Sequence, residues 1–195
     1  MKIALVAQHS SPVPTDSATA GADANLVEMS RSLAGEGHQV TVYARRNGKE
    51  LPERAKLADG VSVEYVGPAD SSSGDSELVK QIGAFSAPLH ARWAQDRPDV
   101  VHALRWTSGL AALAAARDHR IPVVQAFSSL GVTEPRGLAR PDGVAAARIR
   151  LEPAIGRSAA AVVATHSAEV SDLANLGVHR SSIRVVPWGD RKSVV

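Results

Sequence analysis

The 195-residue chain has no cysteine, which excludes a disulfide framework, a thiolate metal site and a cysteine nucleophile at once. It has no run of Lys or Arg longer than two residues, and 22 basic against 20 acidic side chains leave a formal charge of only +2. No basic track for nucleic-acid phosphates exists, so no nucleic-acid partner is expected. No apolar stretch approaches the roughly 18 residues of a membrane span. The opening MKIALVAQHSSPVP has a single Lys and a short apolar run that reads as a strand, unlike a signal peptide; a cytoplasmic location is expected. The dinucleotide fingerprint GxGxxG and the phosphate loop GxxxxGK[ST] are both missing, against a nicotinamide enzyme and against an ATPase. HExxH, GxSxG and any regular metal-ligand spacing are missing too. Carboxylates are few at the expected strand ends, which disfavours a two-carboxylate glycosidase.

What is present is enough for one compact domain. Apolar residues make up 44% and charged residues 22% of the chain, a balance that supports a core and is unlike a disordered segment. Lys2 to Ala7 is a short continuous apolar run, expected of a strand covered on both faces. A loop of small and polar residues extends to about Ala22. From Asp23 the period changes: Leu26, Met29 and Leu33 fall on one helical face, with Asp23 placed to cap the start and Gly35 and Gly37 suited to the exit. HQVTVYARR alternates as a second strand. VSVEYVGP is a third, followed by the polar loop ADSSSGDSE and a helix from about Glu77 to Gln95. PDVVHA (strand), SGLAALAAARDH (helix), IPVVQAF (strand), EPRGLARPDG (loop), a helix from about Val144 to Arg157, AAVVATH (strand), SAEVSDLANLG (helix, Ser167 as N-cap) and SIRVVP (strand) complete the order. Strands alternating with helices predict a doubly wound α/β fold with a mainly parallel sheet of about seven strands.

In such a sheet a ligand sits at the carboxyl ends of the strands, where helix N-termini also point. The strands deliver His9 and Ser10, then His102 followed by Arg105 and Trp106, then Ser128 and Ser129, then His166, to that edge. A polar rim there is consistent with a ligand cleft. For each residue the structural reading stands beside the functional one: His102 as a core histidine bonded to backbone, Trp106 packed under a loop, Ser128 and Ser129 as turn caps, His166 as a helix start rather than a catalytic group. Gly21 lets the backbone approach an anion at the start of the following helix.

Several stretches in order resemble the N-terminal, acceptor-side domain of family 4 retaining glycosyltransferases, particularly the branch containing sucrose-phosphate synthase and the mycothiol-pathway glycosyltransferase. They are QHSSPVP, GADANLVEMSRSLAGEGHQVTVYARR, RPDVVHALRWTSGLAALAAA and RIRLEPAIGRSAAAVVATHSAEVSDLANLGVHRSSIRVVPWG, which together span essentially the whole chain. The resemblance implies a single Rossmann-like N-terminal half of the GT-B fold over residues 1–187, with 188–195 beginning a hinge to a donor domain. It implies transfer of a sugar from a nucleotide-sugar co-substrate to an acceptor hydroxyl, without a cofactor or metal, because helix dipoles and basic side chains stabilise the leaving diphosphate. By position His9, His102, Trp106, Ser129 and Arg148 would line the acceptor side, and Gly21 would lie in the donor-phosphate loop. Two departures stand out: Leu104 replaces the second His of HAHxW, and Ser128 occupies the usual family His position, leaving the catalytic residue unassigned. Partners are then a small-molecule or glycan acceptor, a nucleotide-sugar and a separate donor domain, without which the chain is expected to be inactive. The alternative is a degenerate, non-catalytic ligand-binding module of the same fold.

Overall fold

The computed structural model describes residues 1–8, 20–46, 51–67, 79–133 and 143–187. Within them lie eight strands, β1 (Lys2–Ala7), β2 (Gln39–Arg45), β3 (Arg54–Ala58), β4 (Val61–Val66), β5 (Val100–Leu104), β6 (Val123–Ala126), β7 (Ala161–Ala164) and β8 (Ile183–Val185). Five α-helices, α1 (Ala20–Gly35), α2 (Ile82–Gln95), α3 (Trp106–Ala116), α4 (Gly143–Ser158) and α5 (Ser167–Asn175), alternate with them. The strands form one sheet in the order β3-β4-β2-β1-β5-β6-β7-β8. All neighbours are parallel except β3 and β4. Among the described residues no helix is long and apolar enough to cross a membrane.

Alternation along β1 explains why its run is continuously apolar. Ala4 and Val6 point into a cluster with Val101, Ala103, the α2 residues Phe85, Leu89 and Trp93, and the α3 residues Ala111, Ala112, Ala115 and Ala116. Ile3, Leu5 and Ala7 point the other way, toward Leu26 of α1 and Val40, Val42, Val61 and Val63. Both faces are therefore dry, as a central parallel strand requires. The small alanines of α3 let that helix lie close to the sheet beside α2. Leu26 is buried, with Met29 and Leu33 packed against the same cluster, as the helical spacing predicts.

β1 lies between β2 and β5, with Leu5 opposite Val42 on one side and His102 on the other. The chain goes outward from β1 to β2, and later outward from β5 through β6, β7 and β8 in the opposite direction. The carboxyl ends of β1 and β5 thus mark the topological switch point, where such sheets open a crevice.

The sheet has eight strands where periodicity predicts about seven, and the extra one is β3. It pairs antiparallel with β4 across Asp59-Gly60, with a register shift between Lys56 and Ala58. Gly60 has φ +75, and a Cβ there would lie 3.1 Å from that of Ala34, so the turn needs glycine for conformation and for space. As an edge strand β3 is short and carries Arg54 and Lys56, which protects it from further pairing.

Other boundaries also shift. Asp23 is the fourth residue of α1 and not its cap, and Gly21 is helical rather than part of a loop. At the exit Gly37 takes φ +82, while Gly35 is still helical. The α5 cap is His166, whose Nδ1 accepts from the Glu169 N–H at 3.2 Å, and Ser167 is already in the helix. His9, Ser10, Glu77 and the hinge at 188–195 lie outside the described residues.

Candidate functional site at the carboxyl edge of the sheet

Two turns build the edge beside the switch point. The first joins β5 to α3. Gln8, following β1, donates its N–H to Ser108 Oγ at 2.9 Å, tying the end of the first strand to the first turn of α3. Between β5 and α3 stands Arg105, with φ 68 and ψ 164, a combination essentially reserved for glycine that costs about 1–3 kcal/mol elsewhere. Its backbone is held on both sides. The Arg105 N–H donates to the Ala126 carbonyl at 2.9 Å, and its carbonyl accepts from Gly109 N at 3.1 Å and from Gln125 Nε2 at 3.1 Å.

Gln125 is fully buried on β6 and also donates to the Ala126 carbonyl at 2.7 Å. Its amide fills the space beside Gly109, where a Cβ would come within 2.1 Å of Gln125 Oε1 and 2.9 Å of Ile155 Cγ2. Gln125, Gly109 and Arg105 form one interlocked unit, and the strained backbone persists because these bonds over-determine it. The Arg105 side chain itself is exposed.

The second turn joins β6 to α4. Phe127 and Leu130 are buried, while Ser128 and Ser129 between them are exposed. Glu152, on α4, has a fully buried carboxylate that accepts from the Gly131 N–H at 2.8 Å and from Arg148 Nε at 2.6 Å. Arg148 Nη2 in turn donates to the Ser129 carbonyl at 2.5 Å and to Ser129 Oγ at 2.9 Å. The fork of the guanidinium therefore joins helix, carboxylate and loop, the geometry in which charge-assisted bonds are strongest. The structure brings the expected site residues Ser129 and Arg148 together, and it bonds them to each other.

The other expected residues are distributed differently. His102 is partly buried in β5, between Leu5 and Val124 in register. Its Nε2 is buried without a hydrogen-bond partner, and burial pulls its pKa down to about 4, so the ring is neutral at pH 7. The backbone bonding that a core histidine would make at Nε2 is therefore not seen. Trp106 is only 3% exposed and belongs to the apolar cluster of Phe127, Leu130 and Ile155. It supports the wall of the edge from behind instead of lining it, because its two-ring surface packs better under the β6–α4 turn than in water. Gly21 lies in the first turn of α1. On the far side of the edge Glu169 accepts from Thr165 N at 2.7 Å and Thr165 Oγ1 at 3.1 Å.

The charge balance follows from these pairings. Both carboxylates named at this edge, Glu152 and Glu169, are engaged by protein donors. Among the described residues Arg46 follows β2 and Arg105 follows β5, so each places an arginine at this edge. Among the described residues no group of three His, Asp or Glu side chains could hold a metal ion. An open groove of ≈ 640 Å³ between α3 and α4 lies at the opposite edge, bounded by Arg120, Pro122 and Ala160. It is away from the switch point. Sequence reasoning passed over Gln125, Glu152 and the backbone of Arg105. Only Glu152 carried a signal, its i,i+4 spacing from Arg148.

Residues 20–189 match the glycosyl transferase 4-like domain. The D-inositol 3-phosphate glycosyltransferase of Kineococcus radiotolerans is 32% identical over 197 residues, covering 96% of this chain and 45% of that protein. The enzyme of the same name from Streptomyces scabiei is 31% identical over 180 residues, covering 88% of this chain and 40% of that protein. The chain thus spans less than half the length of these curated relatives. Among solved structures, sucrose-phosphate synthase from Thermosynechococcus elongatus superposes with a TM-score of 0.85 at 20% identity, over 97% of this chain and 48% of that one. The Anabaena protein HepE in complex with UDP-glucose gives 0.63 at 17% identity, over 97% and 44%. At these identities the structural likeness speaks for the fold.

Proposed function

The chain belongs to the glycosyl transferase 4-like domain family, and from that premise we propose that it forms the acceptor-side half of a retaining glycosyltransferase. The reaction moves a sugar from a nucleotide-sugar to an acceptor hydroxyl in a cleft whose other wall is a donor domain, with residues 188–195 entering the hinge. The observation that carries this reading is the arginine-bearing, hydrogen-bonding edge at the switch point, built by Arg105, Ser128, Ser129 and Arg148 in a chain whose relatives are named glycosyltransferases.

His102, Ser129 and Arg148 orient the acceptor together with His9, and Trp106 braces the turn from beneath. A neutral His102 can accept or donate one hydrogen bond to a hydroxyl without adding charge. Gly21, in the first turn of α1, turns unpaired N–H groups toward the donor diphosphate. Helix N-termini and arginines, rather than a metal, stabilise the leaving group. The HepE structure holds UDP-glucose, and we extend that ligand class to this chain. The relatives' names point to a phosphorylated cyclitol as the acceptor class. The enzyme works in the cytoplasm, where nucleotide-sugars are the donors.

The test joins this chain to the C-terminal half of the Kineococcus radiotolerans relative and offers a panel of UDP-sugars with inositol monophosphates and neutral polyols. Transfer with retention of anomeric configuration is expected from the joined protein and not from the chain alone. Absence of transfer across the panel, from a joined protein that folds, rejects the reading.

A further inference from the structure

The groove of ≈ 640 Å³ between α3 and α4 opens at the amino edge of the sheet, away from every residue assigned to substrate above. Its floor is apolar, with Leu110 and Leu113 only partly covered beside the buried Ile155. Its lips are Ala114 on one helix and Ala154 on the other, both exposed. Methyl side chains there leave room for the backbone of a third helix to approach the pair, and Leu110 to Arg117 spans about two helical turns, roughly 10 Å. An exposed apolar concavity of this kind marks an interaction surface. Charge stands at both of its ends. Arg117 and Arg120 line the amino-edge end, and Arg150 lies one turn before Ala154 on α4. Among the described residues none of these three guanidiniums has a hydrogen-bond or ion-pair partner, and no acidic side chain lines the groove. Arg117 suits the carboxyl end of α3, but no helix terminus accounts for Arg150 in mid-helix. Arg120 takes φ 51, uncommon for a residue with a side chain, in a turn that Arg97 holds by donating Nε to the His119 carbonyl at 3.1 Å and Nη2 to the Arg120 carbonyl at 3.2 Å.

We propose that this groove docks an acidic amphipathic helix of a separate polypeptide. The apolar stripe of that helix lies against Leu110 and Leu113, and its carboxylates reach Arg150 at one end and Arg117 and Arg120 at the other. Arginines at both ends select an elongated partner over an amphiphile with a single charged head, which would use one end only. They also oppose a face-to-face pairing of two copies of this chain, which would bring like charges together. The surface lies at the edge opposite the topological switch point, so the partner and the substrates occupy different places, and the inference stands independently of the glycosyltransferase reading.

The experiment uses a designed peptide of about 15 residues, long enough to hold a helix, with a Leu/Ala stripe flanked on both sides by Glu. Its counterpart carries Lys in place of every Glu. Fluorescence anisotropy reads the binding of each peptide to wild type, to Ala114→Trp, and to the double variant Arg117→Glu with Arg150→Glu. Wild type is expected to bind the acidic peptide about tenfold more tightly than the basic one, with an affinity that falls as salt is added. Ala114→Trp fills the groove and is expected to weaken the acidic peptide about tenfold or more. The double variant is expected to reverse the preference, and its gain of affinity for the basic peptide is an effect that misfolding would not produce. Melting temperatures of all three forms should lie close together, since Ala114, Arg117 and Arg150 are exposed.

Equal affinity of wild type for the two peptides overturns the inference, as does binding of the acidic peptide that Ala114→Trp leaves unchanged, or no binding at a concentration on the order of 1 mM. Binding of dodecanoate without binding of the acidic peptide assigns the groove to a lipid chain and overturns it too. A wild-type dimer in sedimentation that Ala114→Trp converts to a monomer assigns the groove to self-association instead. The joined protein described above is measured alongside: acidic-peptide binding that is present in the chain and absent from the joined protein gives the groove to the C-terminal half and overturns a separate partner. Sugar transfer by that joined protein is a distinct readout, and its absence rejects the glycosyltransferase reading while leaving the groove's occupant to the binding data.

Discussion

Glu152 and Arg148 lie one helical turn apart on α4, 2.6 Å between Oε1 and Nε, with the carboxylate fully buried and the guanidinium 12% exposed. The carboxylate also holds the Gly131 N–H, and the guanidinium holds Ser129. One ion pair therefore fixes the whole turn on which Ser128 sits. A buried pair is costly to break from one side, since the remaining charge is stranded. Glu152→Leu is expected to destabilise the chain by about 3–5 kcal/mol, whereas the double variant Arg148→Met with Glu152→Leu recovers most of that loss. Urea unfolding of the two singles and the double measures the coupling. Additive losses would show that the pair does not act as a unit.

The contact between Gly109 and Gln125 predicts a second coupling. A Cβ on Gly109 would come within 2.1 Å of Gln125 Oε1, far inside van der Waals distance, and the nearby Ile155 limits any retreat. Gly109→Ala is expected to lower stability by about 1–3 kcal/mol, although alanine is the better helix former by about 1 kcal/mol. Shortening Gln125 to Ala in the same chain should restore much of the loss by freeing the space. Thermal melts of the single and double variants decide between this steric cause and a helix-propensity effect, for which Gly109→Ala alone would be stabilising.

His102 gives the fold a pH dependence whose sign is fixed by burial. Its folded pKa is about 4, below the ordinary value of about 6.5, so between these two values the unfolded chain binds a proton that the native chain refuses. Stability from this group is unaffected above pH 6.5, falls as the pH drops toward 4, and levels off below it. The full loss is about 3 kcal/mol as an upper value. Urea midpoints for wild type and His102→Gln at pH 7.5 and pH 5 test this. The difference between the two proteins should shift in favour of the variant at pH 5, and an unchanged difference would mean that the ring takes up its proton as readily in the native state as in the unfolded chain.

Much of the fold was legible because its signals are local and repeated. Lys2 to Ala7 could only be a buried strand, and Leu26, Met29 and Leu33 could only share a helix face. β3 was missed because RAKLA is too short and too polar to stand out, even though Asp59-Gly60 ahead of VSVEYV is a hairpin signal. The site was legible as an edge, since strand ends and residue types locate it. Its bonding was not: nothing in ALRWT reveals that Arg105 takes a glycine conformation, because that is imposed by Gln125, twenty residues away. Ser129 and Arg148 were identified separately, and only the fold shows that they meet. His166 and Ser167 both suit a helix start, and tertiary placement decided between them.

Ser128 offers the most direct functional probe of the turn. The side chain is exposed beside Ser129, on a turn pinned by Arg148 and Glu152, and the resemblance read from the sequence implies a histidine at this position. A serine hydroxyl reaches less far than an imidazole and cannot carry a proton near neutral pH. Because the backbone is held from both sides, Ser128→His should present its ring to the cleft without disturbing the Ser129 and Gly131 bonds. In the joined protein this variant is expected to raise kcat for sugar transfer on the order of tenfold, through better positioning of the reacting groups, with the melting temperature of the chain unchanged. A gain confined to KM would place position 128 in acceptor binding rather than in transfer. A loss of activity at an unchanged melting temperature would mean that the cleft is shaped around the smaller serine, and that this turn serves a different arrangement of acceptor and donor from the one its relatives use.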